Sequence, residues 1–321
     1  MSKIFLLALF VFPALSAFAQ DAQTMPSPKP PPGLNRILDE AANQAIKYRE
    51  TFRDLLAVET KTFDEFDKNG NPDDTKKVES NFFVYQSAKN GQSAELRNVF
   101  RVDGKPVSNS QERADRFLGE LQKAKTAEKE LEKIADESLR FDKSVIIYGL
   151  TLFEAISLAE NLRPYFDFSL AGKETYKGKN VYVVGYKQNK KSPYITINEK
   201  RSEEKAFSAD FDLNLPGSLK KSEKFLQGKL WIDAENFQLL REEREIVVNT
   251  GAPLVAQKSV FEYEPSDYEI YVPRRIIFTD YDFKKNGKNE YSTLKGSQIT
   301  LDYSEFKKTD VEIEVLDDDG N

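Results

Sequence analysis

The fold is decided by residues 228–283, GKLWIDAENFQLLREEREIVVNTGAPLVAQKSVFEYEPSDYEIYVPRRIIFTDYDF. Four runs in this stretch are rich in the β-branched and aromatic residues that strands favour. They are Lys229–Ile232, Gln238–Val248, Gln257–Tyr263 and Val272–Phe283. The segments between these runs are shorter than the dozen or more residues that a parallel crossover needs. The stretch therefore predicts consecutive antiparallel strands of one sheet.

Strand and helix patterns continue outward from this stretch. Further strands are predicted at Val58–Phe66, Asn81–Ser87, Glu95–Val102, Phe166–Leu170, Val181–Tyr186 and Gln298–Phe306. Helical spacing or composition predicts helices over Leu34–Ala57, Gln111–Asp136 and Leu152–Asn161. The class is α+β, because a large antiparallel sheet with few helices cannot be a βαβ series. A sheet of this size twists and curls, so we expect a curved sheet with helices covering its concave face.

The ends of the chain differ in composition from its middle. Lys3, the apolar run Ile4–Leu15 and the small residues before a cut near Ala19 predict a cleavable signal peptide over residues 1–19. A Pro-rich linker over 20–33, a single domain over 34–306 and an acidic tail over 307–321 follow. Charged insertions are predicted near 111–136 and 188–227. The mature chain offers no run long and apolar enough to span a bilayer, so we expect a periplasmic or secreted protein.

The composition excludes several classes of function. Cys and His are absent, which removes thiol nucleophiles, disulfides, thiolate metal sites and the side chain best suited to acid–base work near neutral pH. The net charge of −6 argues against non-specific nucleic-acid binding. We therefore predict no catalytic residue, no cofactor and no nucleic-acid partner.

Two acidic patterns have ordinary explanations. Glu65–Asp74 places oxygen-bearing side chains around Gly70, but Lys76 stands where an EF-hand loop needs a bidentate carboxylate, so we predict a plain hairpin and no metal. The carboxylate pairs Glu242–Glu243, Asp280 with Asp282, and Glu203–Glu204 could flank a glycosidic bond, but 53 acidic residues create such pairs by chance.

Aromatic and β-branched residues on the predicted strands are the candidate ligand-binding residues. Alternate residues of a strand share one face, so those on the concave face could line a pocket. The candidates are Phe83, Tyr85, Val99, Tyr182, Val184, Trp231, Phe261, Tyr263, Phe278 and Tyr281. The alternative is ordinary core packing beneath the helices.

Several phrases of the sequence resemble the LolA/LolB-type lipoprotein-carrier family. They are the hairpin Gly172–Val184, the strand Gly228–Asp233 followed by Gln238–Arg241, and the Pro-containing strand Val272–Phe278, in that order. The resemblance covers about Leu34–Phe306. It implies a half-open β-barrel whose apolar concavity, covered by helices, accepts acyl chains or another apolar ligand in the periplasm. The added charged segments depart from a minimal carrier, and a shared fold does not require a shared cargo.

Three functions are therefore open at this point. The first is a non-enzymatic periplasmic or secreted protein that holds a lipid or the acyl chains of a lipoprotein in the concavity. The second is an envelope protein-interaction module with a filled core and no small ligand. The third is a hydrolase that depends on carboxylates alone.

Overall fold

The structure is a computed structural model that describes residues 32–308 except 88, 90–92, 143–154, 199–208 and 288–289. The predicted signal peptide, most of the linker and nearly all of the acidic tail lie outside the described residues. In the described part of the chain, no helix has the length and apolarity that crossing a membrane requires.

Eleven antiparallel strands form one open sheet in the order β4-β3-β2-β1-β13-β12-β11-β10-β9-β6-β5. The strands are β1 (Leu55–Phe66), β2 (Pro72–Gln86), β3 (Ser93–Val102), β4 (Lys105–Pro106), β5 (Phe166–Tyr176), β6 (Lys179–Gln188), β7 (Ile195–Ile197), β8 (Ala209–Phe211), β9 (Lys224–Asp233), β10 (Leu239–Asn249), β11 (Pro253–Pro265), β12 (Tyr271–Lys285) and β13 (Tyr291–Lys308). The short strands β7 and β8 pair with each other in parallel. The predicted class, a curved antiparallel half-barrel, is confirmed, because the large sheet curls but its two ends do not meet.

Helix α1 (Leu34–Phe52) defines the inner face of the sheet, the face on which it lies. Its buried side chains follow helical spacing, so one stripe faces the strands. The Tyr48 ring lies 6.0 Å from Tyr263 of β11, and the Phe52 ring lies 6.1 Å from Phe82 of β2. The helix ends before the predicted Ala57, because Leu55 already pairs with Lys308 of β13. The pairing of β1 with β13 joins the first hairpins of the sheet to the last.

Helices α2 (Ser110–Gln122) and α3 (Ala127–Leu139) replace the single helix predicted over 111–136. The chain breaks between them, and the Thr126 hydroxyl caps α3 by accepting a hydrogen bond from the Lys129 amide. Ile134 and Leu121 pack on Leu96 in a small second core.

These helices also cover the exposed edge of β3. The Ser138 hydroxyl accepts from the Arg97 amide at 3.1 Å and donates to the Glu95 carbonyl at 3.2 Å. The Arg113 guanidinium donates to the Val99 carbonyl. Side chains thus take the place of a neighbouring strand, which protects this edge from pairing with another chain.

The predicted short helix near 152–161 is a single 3-10 turn at Ile156–Leu158, and residues 152–154 lie outside the described residues. Two further 3-10 turns occur at Arg163–Tyr165 and Gly217–Leu219.

Candidate functional site

The inner face beneath α1 is filled with aromatic rings. Among its largest fully buried side chains are Phe52, Phe82, Phe261, Tyr263 and Tyr303. The Phe82 and Tyr303 rings meet edge to face, with centroids 5.5 Å apart. These rings belong to one buried apolar cluster that includes residues of α1 and of the strands.

The insertion over residues 188–227 fills more of the same core. Its charged sequence predicted an insertion, and within it the structure forms the short strands β7 and β8. Five apolar residues of the insertion are buried in the cluster that also contains Leu226 and Ile246 of the sheet: Ile195, Ile197, Leu213, Leu215 and Leu219. The Ser218 and Tyr291 hydroxyls, 2.6 Å apart, tie the insertion to β13. Apolar side chains of the insertion are therefore part of the main hydrophobic core.

A buried ion-pair network lies on the inner face near β3. The Arg97 guanidinium donates to both carboxylate oxygens of Glu59, at 2.7 and 2.9 Å, and to Glu95 at 3.0 Å. Tyr303 donates its hydroxyl to Glu59 at 2.8 Å. Burial raises the pKa of Glu59, but the charges of Arg97 and Lys61 and the hydrogen bonds outweigh it, so this pKa lies below its ordinary value. The Glu59 carboxylate is inaccessible to solvent and has a structural role.

A second network crosses strands β6, β9 and β10 on the same face. Tyr186 donates its hydroxyl to Glu242 at 2.6 Å, and Arg244 donates to both oxygens of that carboxylate. Burial and the neighbouring Glu242 raise the pKa of Tyr186 well above its ordinary value. The Tyr186 ring reaches Glu242 by lying over Gly228, where an added Cβ would come within 2.5 Å of the ring. This contact explains why the Gly-Lys-Leu-Trp-Ile-Asp phrase begins with glycine.

The two cavities of interest differ greatly in size. The cavity between α1 and the sheet, lined by Ala41, Ala45 and Tyr48 among others, has a volume of about 10 Å³. This is about the space of one water molecule. On the opposite face a groove of about 500 Å³ crosses strands β5, β6, β9 and β10. The larger volume falls in the range of ligand-binding clefts.

We call this second cavity the outer groove. Its outward-facing residues are Asp167, Ser169, Gly185, Lys187, Gln227, Lys229, Glu243 and Glu245. The lack of a side chain at Gly185 makes the outer groove deeper at this point. A Cβ there would lie 3.1 Å from the Ser169 hydroxyl oxygen.

The carboxylates and the lysines of the outer groove have different surroundings. At the β10 end, Glu243 accepts hydrogen bonds from Arg241 at 2.6 Å and from Lys258 at 2.9 Å. Burial raises the pKa of Glu243, but these two cations outweigh it and hold the pKa below its ordinary value. On the two middle strands, Lys187 of β6 and Lys229 of β9 are exposed. In the sheet register Lys187 lies opposite Asp167 of β5, and Lys229 lies opposite Glu243 of β10. The Glu243 carboxylate is therefore neutralised within the protein, whereas Lys187 and Lys229 face solvent.

The structure separates the sequence-predicted ligand-binding residues into two groups. Val99, Tyr182, Val184, Phe261, Tyr263 and Phe278 are buried in the main core. The other four lie on the outer face: Phe83 and Tyr85 pack in the second core, Trp231 donates to Glu174 at 2.6 Å, and Tyr281 is half-buried. The ten residues do not form one surface, and their role in ligand binding stays a prediction.

Sequence reasoning did not identify the outer groove. Its signal was Gly185, which lies within a strand of large residues two positions before Lys187. A glycine inside a strand often marks a place where another group approaches closely.

The acidic patterns have structural explanations in the described residues. Asp67 accepts hydrogen bonds from the Asn69 and Asn71 amides, as a turn residue does. Glu242 and Glu243 lie on opposite faces of β10. Burial raises the pKa of Asp280, which accepts a hydrogen bond from Gln257. Glu203 and Glu204 lie outside the described residues.

In the described residues, fold and site together define an α+β protein with one open, curved antiparallel sheet, an inner face packed with apolar side chains and a polar groove on the outer face. No family model and no curated protein matches the chain. Solved structures do match it. A DUF1329 family protein from Desulfovibrio piger is 12% identical with a TM-score of 0.36, over 87% of this chain and 94% of that one.

Two further structures have descriptions that name the family that the sequence resembles. An outer membrane lipoprotein-sorting protein domain from Vibrio parahaemolyticus is 14% identical with a TM-score of 0.34, over 88% of this chain and 96% of that one. A LolA superfamily protein from Nitrosomonas europaea is 14% identical with a TM-score of 0.30, over 86% and 94%. At these identities the likeness concerns the fold alone.

Proposed function

We propose that this chain is a non-catalytic binding protein of the cell envelope that engages a polypeptide partner in the outer groove. The observation that carries the proposal is the contrast between the two faces. The cavity between α1 and the sheet has a volume of about 10 Å³, whereas the outer groove has about 500 Å³. The predicted signal peptide supports the envelope location.

The chemistry of the outer groove favours a polar, extended ligand. Its four strands span about 14 Å at the usual spacing between neighbours. Lys187 and Lys229 can pair with carboxylates of a partner, while the exposed Ser169 hydroxyl can hydrogen-bond to its peptide units. Exposed ion pairs contribute only about 0.2–1 kcal/mol each, so the lysines would select the partner more than hold it.

The second candidate function is the binding of a hydrophobic ligand in the concavity. The apolar contact between α1 and the sheet favours this candidate. The ion pairs that tie α1 to other elements in the described residues, Lys47–Glu269 and Asp39–Arg163, are largely exposed. Displacing α1 would uncover Tyr48 and Phe52 with the core beneath them. Each large apolar side chain costs about 1.5–3 kcal/mol to expose, so a lipid or lipoprotein acyl chain would have to replace most of that burial.

Two measurements distinguish the candidates. Delipidated protein titrated with a fluorescent fatty-acid analogue should show no saturable binding, and mass spectrometry of an organic extract should find no lipid. A photo-crosslinking residue at position 229 should give a discrete polypeptide adduct in cells, and the Lys187→Glu change should remove it. The same residue at Lys105, exposed on β4, is the matched control. Saturable fatty-acid binding without an adduct at 229 would overturn the proposal in favour of a lipid carrier.

A further inference from the structure

The two edges of the sheet differ in whether other groups cover them. The β3 edge is covered by side chains of α2 and α3, as described above. At the opposite end, β5 pairs with β6, and within the described residues no strand pairs with its other side. Leu170 on β5 is 43% exposed, one of the few large apolar side chains that reach solvent in the described part of the chain. An edge strand of this kind is a template for another strand.

The hairpin that carries this edge is basic. Residues 166–191 contain six lysines against Asp167 and Glu174, a net charge of +4 in a chain whose net charge is −6. Two of these lysines, Lys177 and Lys179, form ion pairs with Glu262 and Asp233 of other strands, so the positive charge rests on the remaining four. A positive region on an acidic protein attracts acidic segments over a distance of about 10 Å at moderate ionic strength.

The chain contains a segment of complementary sequence. Residues 309–321 lie outside the described residues, and they carry six acidic side chains and no basic one. Within them, Val311, Ile313 and Val315 alternate with Glu312 and Glu314. Alternating apolar and charged residues suit a strand with one face against a protein and the other in water.

The segment can reach β5 more easily in a second copy than in its own. β13 ends at Lys308, and five strands separate β13 from β5 in the sheet. Six strand spacings amount to about 29 Å along the sheet. The two residues between Lys308 and Val311 allow a span of about 10 Å. Because α1 and the core fill the inner face, a shortcut across it is blocked.

We propose that residues Val311–Leu316 of a second copy add as a strand to the free edge of β5, so that two copies exchange their acidic C-terminal segments. The apolar side chains would pack beside Leu170, and the glutamates would face the solvent side of the basic hairpin. Main-chain hydrogen bonds supply the affinity in this mode of recognition, and the opposite charges speed the encounter. The contact is reciprocal, so it closes as a dimer.

Sedimentation velocity on the chain from Gln20 onwards tests this inference. We expect a concentration-dependent dimer that weakens as ionic strength rises. Ile313→Pro removes an amide from the added strand and should raise the dimer dissociation constant at least about tenfold. Gly320→Pro, in the same segment but beyond the alternating residues, should leave it within about twofold.

A labelled peptide of residues 309–321 provides a second measurement. It should bind the Ile313→Pro chain, whose own segment cannot compete, and lose binding when Leu170→Lys is added. A chain that stays monomeric and does not bind the peptide would overturn the inference. A dimer unaffected by both Ile313→Pro and Leu170→Lys would also overturn it. Neither result depends on the outer groove or its partner.

Discussion

Replacing Gly228 with alanine tests the packing that joins three strands on the inner face. The new Cβ would lie about 2.1 Å from the Glu243 carbonyl oxygen and 2.5 Å from the Tyr186 ring. Both distances are far below van der Waals contact, so the ring and the β10 backbone must move. Moving the ring also breaks its hydrogen bond to the buried Glu242 carboxylate.

The expected loss in the free energy of unfolding is the sum of these two effects. Overpacking a core costs about 1–3 kcal/mol. Loss of a hydrogen bond to a charged group adds about 1.5–3 kcal/mol. A total of about 2.5–6 kcal/mol should lower the melting temperature by about 4–10 °C in a domain of this size. Differential scanning calorimetry would measure the change.

The matched control is Gly217→Ala, because a Cβ at Gly217 meets nothing within 4 Å. This variant should melt within about 2 °C of the unaltered protein. If Gly228→Ala melts as the control does, the proposed role of the glycine is wrong, and the Tyr186 ring must have another way to reach Glu242.

Three further changes probe the buried polar groups. Tyr186→Phe removes the hydroxyl bonded to Glu242 and should cost about 1.5–3 kcal/mol in urea unfolding, with an unchanged midpoint counting against the network. Ser138→Ala leaves the Arg97 amide and the Glu95 carbonyl without their edge partner, so the Arg97 amide should exchange hydrogen faster; unchanged exchange would show that the edge is protected otherwise. The pKa of Glu59 is lowered from its ordinary value of 4.5, so its contribution to stability is present above pH 4.5 and is lost as the pH falls through the lower folded-state value. Glu59→Gln should lose about 3–5 kcal/mol at neutral pH and show a flatter stability profile below pH 4.5; a profile as steep as that of the unaltered protein would assign the acid sensitivity to other groups.

Most of the sheet could be predicted because its signals are local. The run Val272–Phe283 predicted β12, which spans Tyr271–Lys285, and the turns between strands carried their own residue preferences. Errors at the ends, such as the extension of α1 to Ala57, arose where pairing with β13 overrides helical periodicity.

The candidate site could not be predicted in the same way. Alternation tells which residues of a strand share a face, but bulges change the parity along it, as between Leu170 and Gly172 or between Leu239 and Arg241. Alternation also leaves the register between strands open. Trp231 of β9 pairs with Val183 of β6, so Trp231 and Tyr182 lie on opposite faces of the sheet.

The sequence by itself determined the class of this protein: an α+β chain with an export signal predicted at its start, a large antiparallel sheet, and neither cysteine nor histidine for chemistry. These properties depend on composition and on neighbours along the chain. Only the tertiary structure decided that the insertion fills the inner face, that Tyr186 lies over Gly228, and that the outer groove is the larger cavity. Each of these depends on residues far apart in sequence meeting in space, and no local pattern specifies which distant side chain fills a given volume.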